Sequence, residues 1–185
     1  MKRGFFNAIP FILGAVIIAG LVHLLSILLL PRVAASNAFA RLSVNASLNT
    51  LENLQSPDGT KVMLPFADPA MLTAICHYDV TQEPVRLKIT TGDDFMSIVF
   101  LDPEGKVIYS LTDKAATRRL IEIVIGSPAQ IRQITIQDSE DEAVQELRLR
   151  LANPRGMAII RALAPRSSDV PQVSALLDRS DCQQE

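Results

Sequence analysis

Twenty consecutive residues, Phe11 to Leu30 (FILGAVIIAGLVHLLSILLL), carry no charge, and no other feature of the chain restricts its fold so strongly. As an α-helix rising 1.5 Å per residue, such a run covers about 30 Å, the hydrocarbon thickness of a bilayer. Met1-Lys2-Arg3 precedes it and the first thirty residues hold no acid, which is the basic-then-apolar order of an export signal. A cleaved signal peptide has an apolar core of roughly 7–15 residues. This run is longer, so the expectation is an uncleaved signal anchor over residues 1–30, with cleavage after Ala38-Phe39-Ala40 as the alternative.

Lys2 and Arg3 on one side balance Arg32 and Arg41 on the other, so side-chain charge does not orient the span. The terminal amine and the signal-like order favour a cytoplasmic N-terminus and an exported remainder, hence a single-pass inner-membrane protein with a periplasmic domain. His23 and Ser26 are the polar exceptions within the span. A lone neutral histidine near the far end of a helix reaches the interface or a neighbouring helix, and is read here as structural. The bilayer, contacted through residues 11–30, is the first expected partner.

From residue 31 onward the chain holds sixteen Lys and Arg against twenty Asp and Glu, a net charge of −4. Both signs are scattered along the sequence, so there is no basic stripe and no nucleic-acid partner is expected. Residues 31–60 show no firm period, end in the turn-rich Ser56-Pro57-Asp58-Gly59, and read as a stalk or linker. Asn45-Ala46-Ser47 matches a glycosylation sequon, a triplet that arises readily by chance.

Residues 61–185 change to period two. Val85, Leu87 and Ile89 alternate with Arg86, Lys88 and Thr90, and Leu147 to Leu151 (LRLRL) repeats the pattern, as half-buried strands do. Phe95 to Leu101 (FMSIVFL) is apolar on both faces apart from Ser97 and belongs in the middle of a sheet. Asp102-Pro103-Glu104-Gly105 and Asn153-Pro154-Arg155-Gly156 share an Asx-Pro-x-Gly form that suits a bulged hairpin, with glycine in the left-handed position. They are expected to join Phe95–Leu101 to Lys106–Leu111 and Val144–Leu151 to Met157–Leu163. RLIEIVI and QIRQITI, on either side of Gly126-Ser127-Pro128, are read as two more strands with a bulge. Near the end, Val170, Val173, Leu176 and Leu177 recur at helical spacing after cap-like Ser168 or Asp169. Seven or eight strands predict a mainly β fold: an antiparallel β-sandwich of jelly-roll-like kind, with an N-terminal transmembrane helix and a short C-terminal helix.

Ile75-Cys76-His77-Tyr78-Asp79-Val80 concentrates the chemistry of the chain. Strand parity separates it: Cys76 and Tyr78 fall on the apolar face, His77 and Asp79 on the other, so no thiolate–imidazole pair forms within one strand. His77 and Asp79 share a face, but no Gly-x-Ser-x-Gly elbow supplies a nucleophile. They are candidate polar surface contacts, and Asp113 is a third. Two cysteines and one exported histidine write no metal cluster, and the acidic run Asp138–Glu142 lacks the glycine and spacing of a calcium loop. No cofactor is expected. In an oxidising compartment the two cysteines, Cys76 and Cys182, are candidates for one disulfide. Cys182 sits half a turn off the apolar face if the closing helix stays regular, so the helix must end near Ser180; a bridge between two molecules is the rival.

DPAMLTAICHYDVTQEPVRLKI followed by DDFMSIVFLDPEGKVIYSLTDKAA resembles the small, singly membrane-anchored bacterial members, frequent in alphaproteobacteria, of a domain-of-unknown-function family, DUF1254. The resemblance rests on Asp68-Pro69, Cys76, Tyr78-Asp79, Pro84-Val85, Ser97, Gly105, Tyr109-Ser110, Asp113 and the late Cys182. Thr112 and Lys114 depart from the Asn and Arg often found around that aspartate, and Met96 stands where an aromatic is common. The resemblance implies an envelope location, the same fold, the disulfide and a paralogous membrane-anchored partner, and it implies no activity. The functional expectation is a non-catalytic envelope protein with an interaction or structural role. A periplasmic small-ligand or lipid-binding module is the alternative, and an enzyme comes third.

Overall fold

The computed structural model describes residues 2–33, 39, 42, 47–54, 68–137 and 146–185. The chain divides into two units, residues 1–37 and 38–185, each taken by itself. The sequon at Asn45, the Ser56–Gly59 turn and the acidic run at 138–142 lie outside the described residues.

The first unit is α1, Lys2–Val33. Its Ile9–Leu30 stretch spans 22 residues at a mean hydropathy of 2.7, long and apolar enough for a bilayer span or a signal sequence. The one hydroxyl in that stretch is satisfied within the helix, Ser26 Oγ donating to the Val22 carbonyl at 2.8 Å.

The second unit is a sandwich of two sheets. One has the order β1-β2-β8-β4-β5 and the other β7-β6-β3-β9. The strands are β1 (Leu51–Asn53), β2 (Met71–Asp79), β3 (Val85–Thr90), β4 (Met96–Leu101), β5 (Val107–Thr112), β6 (Leu120–Gly126), β7 (Leu147–Arg150), β8 (Arg155–Leu163) and β9 (Asp181–Gln184), with helices α2 (Pro128–Gln137) and α3 (Val170–Asp178). The return of β8 to lie between β2 and β4 gives the jelly-roll-like path. Alternation fixes the faces: Val85, Leu87 and Ile89 of β3 and Met96, Ile98 and Phe100 of β4 are buried between the sheets, while their neighbours are half-covered. The Asp102–Gly105 turn closes the β4–β5 hairpin as expected, with Gly105 at φ 83° and a bulge beside Leu101.

Four sequence expectations need correction. QIRQITI is a helix, α2. Ser127 and Gln130 form a capping box, the Gln130 side chain accepting from Ser127 N–H at 2.7 Å and Ser127 Oγ from Gln130 N–H at 3.3 Å. Pro128 then supplies a preset first turn. The alternation of Ile134 and Ile136 misleads because Ile136 is 82% exposed and only Ile131 is buried. The helix carries the crossover that lets β7 pair in parallel with β6.

Asn153–Gly156 is not a hairpin, since β7 and β8 lie in different sheets. Gly156 has no positive φ and serves close approach instead: a Cβ there would sit 2.2 Å from Tyr78 Oη and 2.5 Å from the Leu101 carbonyl oxygen. Within the expected stalk over 31–60, residues 48–54 join the sandwich. Leu51 pairs with Cys76, and Asn49 N–H donates to the His77 carbonyl at 2.7 Å. Finally, the expected short C-terminal helix forms as α3, but it does not close the chain: β9 follows it and pairs with β3, which gives nine strands among the described residues.

The end of α3 shows how that last strand arises. Ser180 Oγ donates to the Leu176 carbonyl and accepts from Thr90 N–H at 3.1 Å, which ends the helix against β3. Beyond it the period is two, so Cys182 points in while Asp181 and Gln183 point out. Cys182 meets Cys76 in a disulfide, with Cα atoms 6.4 Å apart, that ties one sheet to the other.

Candidate functional site

Strand parity places each polar residue of the Cys76–Asp79 stretch, and Cys76, Tyr78 and Asp79 are then consumed by local partners. Cys76, fully buried, is in the disulfide. Tyr78 lies in the core against Phe100, ring centroids 6.4 Å apart, and its hydroxyl donates to the Leu101 carbonyl at 3.3 Å, over Gly156. Burial pushes the Tyr78 hydroxyl pKa well up, with Asp102 adding to the effect, so it serves as a donor and not as a base.

Asp79 ends β2. It accepts from Thr81 hydroxyl, from Thr81 N–H at 2.9 Å and from Arg155 Nε at 2.8 Å, so its carboxylate is turned toward the β2–β8 corner. The Thr81 hydroxyl above all holds its pKa below the ordinary carboxylate value; burial opposes it, and Thr81 N–H and Arg155 add to the lowering. Asn49 completes the corner from a left-handed conformation (φ 55°), its Oδ1 accepting from Asp79 N–H at 2.9 Å.

His77 does not behave as the surface contact the sequence suggested. It faces away from the inter-sheet core as parity requires, yet it is only 3% exposed. Phe39 stands edge-on to it with ring centroids 5.6 Å apart, and Leu48 bridges to it in parallel. Neither ring nitrogen has a hydrogen-bond partner among the described residues. Burial lowers its pKa, opposed in part by the charge of Glu52, so at neutral pH the imidazole is uncharged. The Asp–His pairing that would orient a catalytic imidazole is not made, because Asp79 is committed to Thr81 and Arg155. The covering groups went unread because Phe39 and Leu48 fall in the aperiodic stretch taken for a stalk.

Asp113 lies elsewhere. Its Oδ1 accepts from Met96 N–H at 3.2 Å and fixes the start of β4. Along β8 the His77 partner Met157 and the cleft-lining Leu163 are six residues apart, about 20 Å at strand rise. The three candidate contacts therefore occupy opposite ends of one sheet and form no joint site.

Met96 lines a cleft of about 200 Å³ between the Gly92–Met96 turn, the end of β8 and α3. Its rim carries the ion pairs Arg119–Asp93 at 2.6 Å and Arg166–Asp169 at 3.1 Å, and Phe95, 49% exposed, stands at the mouth. Ligand sites for drug-sized molecules run to about 300–1,000 Å³, so this cleft suits only a small polar molecule. Among the described residues no group of three or more His, Cys, Asp or Glu side chains is placed to hold a metal.

A family model described as protein of unknown function, DUF1254, matches residues 46–184. No curated protein matches the chain. Among solved structures, the VPA0106 protein of Vibrio parahaemolyticus aligns over 76% of this chain and 31% of its own, with a TM-score of 0.54 and 15% identity. An uncharacterized protein of Burkholderia cenocepacia aligns over 80% of this chain and 38% of its own, with a TM-score of 0.49 and 11% identity. The chain thus spans less than two fifths of either protein. The first likeness extends to the fold alone.

Proposed function

The chain belongs to the DUF1254 family, and on that footing we propose that it is a non-catalytic, single-pass inner-membrane protein whose sandwich faces the periplasm and works as an interaction or structural module. The observation that carries this reading is the buried Cys76–Cys182 bridge in a chain that begins with an apolar helix. Disulfides persist in oxidising compartments, and a chain held by α1 meets one on the exported side. The N-terminus is cytoplasmic, α1 stays in the bilayer uncleaved, and the partner is a paralogous membrane-anchored protein. The absence of catalysis is supported by the commitments of Asp79, Tyr78 and Cys76 to structural bonds.

Alkaline phosphatase fused after residue 60 should be active and a cytoplasmic reporter fused there silent; the reverse would end the periplasmic reading. A mature protein beginning at Arg41 would replace the anchor with a cleaved signal. His77→Ala and Asp79→Ala should leave any hydrolytic activity of the envelope fraction unchanged, and an activity lost with circular dichroism intact would make the protein an enzyme. The cleft beside Phe95 favours a second reading, a small-ligand module, and its volume argues against a lipid chain as that ligand.

A further inference from the structure

β2 differs from β3 and β4 in being covered on both sides: residues 72–78 are all buried, whereas β3 and β4 alternate buried with half-covered residues. A two-layer sandwich leaves its outer faces to solvent, so something beyond the two sheets lies over Thr73, Ile75 and His77. At His77 that cover is Phe39, itself half-buried and edge-on to the imidazole at 5.6 Å. The His77 backbone is held from both sides, by pairing with Met157 of β8 and by Asn49 N–H on its carbonyl at 2.7 Å. The ring therefore gains water only when its cover moves.

A phenyl ring would fill this position equally well. An imidazole adds two buried nitrogens, neither with a partner among the described residues, and buried polar atoms left in that state are rare. What it has and a phenyl ring lacks is a charge that changes between about pH 5 and pH 8. Protonation makes both nitrogens donors, and little nearby accepts from them. The charged groups on the elements packed against the ring are Glu52 of β1, Asp79 of its own strand, and Arg155 and Arg161 on the same face of β8; Arg41 lies outside the described residues. Asp79 is bonded to Thr81 and Arg155, and Glu52 accepts from Ser47 N–H at 2.8 Å, so both carboxylates are committed. The arginines offer no acceptor. The charge of Glu52 favours protonation, but burial outweighs it and keeps the covered ring neutral.

We infer that His77 is an acid-sensitive catch for the segment ahead of β1: the neutral ring holds Phe39 against the outer face of β2, and protonation sends the ring to water and Phe39 off the sheet. Release moves the hold of the sandwich on this segment from Phe39 to Leu48, which bridges to the His77 backbone, and so lengthens the tether to α1. The catch requires that α1 be retained as proposed above, since cleavage after Ala40 would remove Phe39.

The test uses the full chain in mild detergent, its intact mass first showing that it begins at Met1. Tryptic cleavage after Arg41, which needs the residues on both sides released, is timed from about pH 7.5 to about pH 5.5 and divided at each pH by the rate for Phe39→Ala, in which no ring is held. That quotient follows the released fraction. A released imidazole titrates near 6.5, so the quotient should rise about tenfold over this interval, with the Cys76–Cys182 bridge still formed as the sign of an intact fold. His77→Phe should abolish the rise, and Glu52→Gln should keep it, because Glu52 is not the group that titrates. A chain that begins at Arg41 would overturn the retained anchor and the catch together. With the chain intact, a flat wild-type quotient would overturn the catch alone, as would a rise that persists in His77→Phe, a rise lost in Glu52→Gln, or one matched by cleavage at Arg86 and Arg161, which would mark general unfolding.

Discussion

Removing the Cys76–Cys182 bridge is the perturbation whose size follows most directly from the fold. The two residues are separated by 106 positions and belong to opposite sheets. In the chain-entropy model a closed loop of about a hundred residues restrains the unfolded ensemble by about 4.7 kcal/mol at 25 °C, against a total of about 5–15 kcal/mol for a typical domain. What else holds β9 is modest: a four-residue pairing with β3, the Glu185 N–H to Pro84 carbonyl bond at 3.0 Å, and the Arg86–Glu185 ion pair. Partly exposed ion pairs contribute about 0–1 kcal/mol. Urea unfolding followed by far-ultraviolet circular dichroism should therefore show the reduced wild type less stable than the oxidised by about 4–5 kcal/mol. It should also show a steeper denaturant slope, because the uncrosslinked unfolded chain exposes more surface. Cys76→Ala with Cys182→Ala should lose about 1 kcal/mol beyond that, for two sulfur-sized voids among residues that are essentially unexposed. Amide exchange at Cys182–Gln184 should rise before that of β2, β3 or β8. A reduced protein within about 1 kcal/mol of the oxidised one would refute the reasoning, since the bridge would then restrain nothing that β9 pairing does not already hold.

Gly156→Ala should destabilise by about 3 kcal/mol in the same assay; Tyr78→Phe should cost only about 1 kcal/mol and should not rescue it, because the Leu101 carbonyl still lies 2.5 Å from the new methyl. His77 should make stability fall as pH drops below its unfolded value of about 6.5. The unfolded imidazole accepts a proton there while the buried one, its pKa lowered by burial, resists until the pH reaches the depressed folded value. His77→Phe, which removes two nitrogens that have no partner among the described residues, should abolish that slope with little loss at pH 7. A slope that survives the substitution would place the titrating group elsewhere.

The sandwich was legible wherever side-chain alternation met a single buried face. Val85–Thr90 and Phe95–Leu101 read correctly because inner residues are apolar and flanking ones polar or half-covered. The two Asx-Pro-x-Gly turns show the limit: the same four-residue pattern serves a left-handed turn at Gly105 and a close contact at Gly156. The demand for glycine is local to the sequence in one case and comes from Tyr78 and Leu101, distant in the chain, in the other. QIRQITI failed for a related reason. Its isoleucines obey period two over too short a stretch to exclude a helix, whereas Ser127 with Gln130, a capping pair visible in the letters, decided the matter. β9 was unreadable because Asp-Cys-Gln-Gln has no strand pattern; it is a strand because β3 offers a free edge and Cys76 a covalent anchor.

The Cys76–Asp79 stretch gathers catalytic letters because it crosses three environments within four residues, and each environment claims the residue it needs. The inter-sheet core takes Cys76 for a covalent tie and Tyr78 as a volume whose hydroxyl has one acceptor, the Leu101 carbonyl. The β2–β8 corner takes Asp79, since a strand end leaves N–H groups that a carboxylate satisfies, and Thr81 and Arg155 complete the set. The outer face takes His77, whose flat ring packs beside Phe39 as an aromatic body would and has no hydrogen bond on either nitrogen among the described residues. A reaction needs at least two of these groups to converge on one accessible point, and strand geometry sends them in divergent directions. Accessible, uncommitted surface with a definite pattern is found instead along β5, at the opposite margin of the same sheet.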